Sequence, residues 1–149
     1  MVNPFDIKSA LTARHAQHVV LVHFPIALFL SAVGCDVAAR WMRKSVLATA
    51  AYINFLGAAV TSLPVVATGI LAWRWQLEGQ RLKGVLEMHL VMGLSSAALI
   101  CVVGWLQFRA RKAGRPAAPY VLAMEGFAAL VVALTGHLGG FLSGVNVGG

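Results

Sequence analysis

Charge is what this chain has least of. Only 11% of its 149 residues are Asp, Glu, Lys or Arg, and just five are acidic, whereas soluble domains carry roughly a quarter charged residues. That shortage excludes an ordinary soluble globular domain. Cysteine is nearly absent as well: Cys35 and Cys101 both lie inside apolar runs with no CxxC or CxxCH beside them, so neither a dithiol redox motif nor covalent haem attachment is encoded. Packing is their simplest use. No long polar stretch leaves room for a soluble domain, and Ser31, Ser95 and Ser96 have no evident base at their depth. The one Gly-rich run, TGHLGG, follows no strand, so it is not a nucleotide fingerprint. No nucleic-acid module or basic binding face is present, and no nucleic-acid partner is expected. The opening MVNPFDIKSALTARHAQ holds only Lys8 and Arg14 as basic residues and lacks the shape of a cleavable signal peptide. Phe5, Ile7 and Leu11 among polar neighbours would suit a short helix on the membrane surface.

What the chain has is apolar length. Its residues are 59% hydrophobic, the mean hydropathy is +0.78, and apolar runs cover about 18–39, 46–73, 86–108 and 120–142. Each is long enough for the roughly 20 residues that cross a ~30 Å hydrocarbon core. The spacing predicts an all-α integral membrane four-helix bundle, one domain over 1–149. Pro25 fits the first turn of span one or a kink within it, and Pro64 should kink span two. The net charge of +7 lies mostly in the short connections, where it reads as topology signals at a lipid surface. Arg40, Arg43, Lys44, Arg109, Arg111, Lys112 and Arg115 make seven on one side, against five on the other, Lys8, Arg14, Arg74, Arg81 and Lys83. The positive-inside rule therefore places the seven inside and both termini outside, in the periplasm of a bacterial inner membrane.

With four spans, all five histidines fall on one side. His15, His18 and His23 stand at the start of span one, His89 at the start of span three, and His137 near the end of span four. Ionisable side chains at the edge of a hydrocarbon layer are costly unless they face an interior, a metal or water. Each could be a packing residue bonded to a neighbouring carbonyl, but their convergence also fits a b-type haem between two imidazoles. His18 and His23 are five residues apart, roughly 140° around a helix of 3.6 residues per turn, so they cannot readily serve one site. Spans one and three are diagonal in an up-down bundle, which makes His23 and His89 the preferred axial pair, with His137 and His18 as alternates.

Gly69, Gly136, Gly139 and Gly140 would admit a flat porphyrin, or equally allow close helix packing. Arg74 and Arg14 could pair with propionates or simply anchor helix ends. Copper or zinc would also suit imidazoles; Met88, Met92 and Glu87 are the other donors at that depth, Glu87 being equally a solvated acid at a helix N-terminus. Asp36 and Glu125 should meet the inner arginines.

His18 followed by VHFPIAL, a Gly-containing second span, a histidine opening the third and a closing TGHLGGFL together resemble the DUF2231 family of small four-helix bacterial membrane proteins. The resemblance covers most of the chain, and HFPIAL and HLGG carry its most specific part. It implies a fold and a membrane location, and association of some members with c-type cytochromes. The chain departs from the His-Pro pair usual at the start of the first motif, having Val19 after His18, so the weight falls on His23.

The function expected from these readings is a b-type haem-binding electron-transfer subunit. It would work with a periplasmic or membrane redox partner, such as a c-type cytochrome, and with quinone. The alternative is a cofactor-free structural or anchoring subunit of a membrane complex. A metal transporter is disfavoured by the lack of an evident inverted repeat.

Overall fold

A computed structural model describes residues 14–76 and 82–143; the proposed surface helix at the N-terminus lies outside them. Four helices make up the described chain: α1 (Arg14–Met42), α2 (Ser45–Gln76), α3 (Val85–Lys112) and α4 (Pro119–Leu142). All four are long and apolar enough to cross a membrane; α1, α2 and α3 overrun their expected spans by a few residues and α4 by one. The protein is an all-α membrane bundle.

The helix ends follow local chemistry. Pro119 opens α4 at a position where a missing amide hydrogen costs nothing. At the end of α3, Gly114 takes φ 65°, and the amides of Gly114 and Arg115 reach back to the carbonyls of Arg111 and Ala110. This is a Schellman closure, which needs the left-handed conformation that glycine adopts freely. Between α1 and α2 only Arg43 and Lys44 intervene, so the two helices must run antiparallel. Pro25 lies inside α1, because that helix starts upstream at Arg14, and Pro64 lies inside α2.

Each helix turns one narrow stripe inward. On α1 it is Pro25, Phe29, Ala32, Asp36 and Ala39; on α2 Ala51, Phe55, Ala58 and Ser62; on α3 Ser96, Ile100, Val103 and Gln107; on α4 Val121, Glu125, Ala128, Val132 and Thr135. The steps alternate between four and three residues, the repeat of about 3.5 that keeps a seam facing its partners along a left-handed bundle. Helices adjacent in sequence pack together, and α1 also meets α4, so the four form a ring in which α1 and α3 are diagonal. At its centre Phe29 and Phe55 meet edge to face, centroids 5.5 Å apart, surrounded by Ala32, Ala58, Ile100, Val103, Ala128 and Val132.

Close approach of α2 and α3 depends on Gly104. A Cβ there would stand 3.2 Å from the Ala59 Cβ and 3.3 Å from the Phe55 carbonyl oxygen, and backbone cannot swing aside. Gly104→Leu should therefore destabilise the bundle by about 1–3 kcal/mol, the usual cost of overpacking. An unchanged thermal unfolding midpoint in detergent would show that this contact is slack.

Polar groups inside the bundle are largely paired. The Ser96 and Thr135 hydroxyls meet at 2.8 Å between α3 and α4, and Thr135 donates on to the Val131 carbonyl. Asp36 takes the Arg40 guanidinium at 2.6 Å, as expected. Glu125 lies within electrostatic reach of Arg40, but its hydrogen bond, through Oε1, is to the Gln107 amide at 2.7 Å, and its Oε2 is buried with no hydrogen-bond partner. Both side chains lie on inward stripes, whereas the arginines of α3 stand at its exposed end.

Candidate functional site

Followed toward the histidine end, the four inward stripes arrive at a distinctive layer. On α1 the steps 29, 25, 22 lead to His18. On α3 the steps 100, 96, 93 lead to His89. The stripes of α2 and α4, continued through Val65 and Thr135, lead to Gly69 and Gly139. Going around the ring, the layer reads histidine, glycine, histidine, glycine.

The contacts bear out that register. The His18 ring rests on Gly69: a Cβ at that glycine would be 2.9 Å from His18 Cε1. His18 Nδ1 also lies 3.2 Å from Thr68 Oγ1, and the Thr68 hydroxyl donates to the Pro64 carbonyl at 2.9 Å. The contact fixes the orientation of the His18 ring against α2.

His89 is the counterpart on α3. Its Cε1 would lie 3.2 Å from a Cβ at Gly139, and the Thr135 backbone approaches its ring. His89 Nδ1 is buried with no hydrogen-bond partner, an arrangement that leaves a polar atom costly to bury.

The other expected site residues stand elsewhere. His23 is exposed on α1, and its Nδ1 is 2.7 Å from the Val19 carbonyl one turn back; the five-residue offset from His18 carries it off the stripe. His137 is exposed on α4 with its ring edge-on to Phe141 at 4.9 Å. Gly136 faces Ile26, whose Cδ1 would be 3.9 Å from an added Cβ, so it serves the α1–α4 contact. The Gly140 carbonyl accepts from Ser143. Arg74 is exposed in the last turn of α2, and the side chains of Arg14 and His15 lie outside the described residues.

Met88 and Glu87 are exposed. Among the described residues no group of three or more His, Cys, Asp and Glu side chains could hold a metal ion, so a three-ligand copper or zinc site finds no support there. Sequence reasoning singled out the histidines and glycines without matching one to another. The signal that would have done so is the repeat of about 3.5 residues, which selects His18 over His23 when counted back from Phe29.

The layer gives two imidazoles on diagonal helices, each against a neighbour that has no side chain. Imidazole is the one side chain of this layer whose chemistry suits a metal ligand. The chain matches the family model described as "Predicted membrane protein (DUF2231)" over residues 14–147. No curated protein and no solved structure matches it. A match that spans all four helices and the whole histidine and glycine layer makes this chain a member of the DUF2231 family of membrane proteins.

Proposed function

We propose that the protein is a b-type haem-binding electron-transfer subunit, with His18 and His89 as the axial ligands. The observation that carries this reading is the layer of His18, Gly69, His89 and Gly139, in which imidazoles on two diagonal helices each pack against a glycine of a neighbouring helix. Haem iron takes neutral histidine readily, and the bound group would supply one-electron chemistry while the protein sets its potential. The chain's own part is to fix the donors. Thr68 orients His18 through Nδ1, Gly69 and Gly139 keep side chains out of the layer, and the Ser96–Thr135 pair joins α3 to α4 deeper in the bundle.

The bias of basic residues toward the opposite end supports an orientation with this layer at the outer face of a bacterial inner membrane and both termini periplasmic. A haem at one end does not by itself bridge the bilayer, so a partner is required: a periplasmic or membrane redox subunit such as a c-type cytochrome, or quinone. Arg74, exposed near the layer, would meet propionates or an acidic partner.

A reduced-minus-oxidised spectrum of the purified protein should show a b-type band. Its absence from protein made with ample haem supply would defeat the proposal. The competing reading, a cofactor-free anchoring subunit, draws on the fact that both rings already sit against glycine. It predicts no band and intact partner activity when His18 and His89 are replaced together.

A further inference from the structure

The bundle has a second feature at its other end, independent of the histidine layer. Where the α1–α2 turn faces the α3–α4 loop there is a cavity of about 660 Å³, walled by Asp36, Arg40, Arg43, Lys44, Arg111 and Arg115. Five cations therefore face one acid, and that acid is taken: Asp36 holds Arg40 at 2.6 Å. The next carboxylate inward, Glu125, is buried behind Gln107. The cavity thus presents uncompensated positive charge.

Two details distinguish it from cations scattered on a membrane rim. Arg111 is held in place: its Nη1 lies 3.4 Å from Thr49 Oγ1, and its guanidinium covers the Tyr52 ring at 5.1 Å. Arg43 has φ 54°, a left-handed conformation that is strained for any residue with a Cβ and that glycine would adopt without penalty. The left-handed residue ends α1 there, and the Arg43 side chain lines the cavity.

We infer that this cavity binds a phosphate-bearing anion, either the headgroup of an anionic lipid or a soluble phosphate compound. Arginine forks suit phosphate oxygens, and basic pockets between membrane helices are a recurring form of headgroup site. Tyr52, Ala39, Ala48 and Pro116 supply apolar wall, so the ligand combines a charged group with a less polar body.

The test uses the full chain and two probes. Retention of phosphatidylglycerol against phosphatidylcholine is read by native mass spectrometry from neutral detergent. Pyrophosphate binding is read by calorimetry in phosphatidylcholine nanodiscs. The main variant is R43G/R115Q, in which glycine suits the backbone of the turn; the control is Lys83→Gln at the histidine end.

At a worth per basic side chain that is about fivefold in affinity, the double variant should bind roughly thirtyfold more weakly. Lys83→Gln should bind like the wild type. Should the double variant not fold, Arg43→Gly alone should weaken binding about fivefold. Binding of phosphatidylglycerol alone identifies a lipid site, and binding of pyrophosphate identifies a soluble ligand; each supports the inference. Failure of both probes to bind, unchanged affinity in the Arg43 variants, or an equal loss in Lys83→Gln overturns it.

Discussion

Replacing either His18 or His89 by alanine should abolish the proposed haem retention, while His23→Ala and His137→Ala should leave it intact. This contrast separates the layer from the histidines around it. His18 and His89 continue inward stripes and meet Gly69 and Gly139, whereas His23 and His137 are exposed on the outside of α1 and α4. In the proposed site, losing one of the two imidazoles would remove half of the protein's hold on the iron, so haem per chain, measured by pyridine haemochrome, should fall well below that of the wild type. Thr68→Val should give a milder phenotype. It removes the hydroxyl beside His18 Nδ1 without removing the imidazole, and loss of such a partner typically costs 10–100-fold in metal affinity. Equal haem content in the His18 and His23 variants would mean that the inward stripe does not decide the ligands.

The second large effect is steric. Gly69→Leu should expel the His18 ring, because even a Cβ would come within 2.9 Å of Cε1. Gly139→Leu should do the same to His89, where the corresponding distance is 3.2 Å. Overpacking of this kind costs about 1–3 kcal/mol, and each variant should also lose the haem. Glycines outside the layer provide the contrast. An added Cβ meets nothing within 4 Å at Gly34 or Gly126, so alanine there should leave binding unchanged and add up to roughly 1 kcal/mol of helix stability. Thermal unfolding with and without added haemin reads both parts. If Gly69→Leu retained full haem content, the glycines would be packing residues with no bearing on a ligand.

The gross architecture was readable from composition because hydrocarbon imposes it: apolar runs of spanning length leave a chain few alternatives to helices. The gathering of histidines at one end followed from the same count of spans. What pattern reading did not settle was which side of α1 faces inward. The angle between His18 and His23 shows that one must point away, but choosing between them requires the seam that passes through Phe29 and Pro25. The family motif, weighted toward His23, points to the residue that the fold leaves exposed.

The pairings of His18 with Gly69 and of His89 with Gly139 depend on the relative height of neighbouring helices. Helix height is set by packing across the core, as at Gly104 against Phe55, and no single helix encodes it. Glu125 illustrates the same limit. Its place near the basic end and in reach of Arg40 was legible, but its hydrogen bond to Gln107, which shares the inward face, was not.

The most direct measurement of the central claim is electron paramagnetic resonance of the oxidised, haem-loaded protein, taken for the wild type and for His18→Ala and His23→Ala. The account predicts a low-spin bis-imidazole signal that His23→Ala preserves and His18→Ala removes. A bis-imidazole signal that survives in His18→Ala, or its absence from haem-supplied wild-type protein, would contradict it.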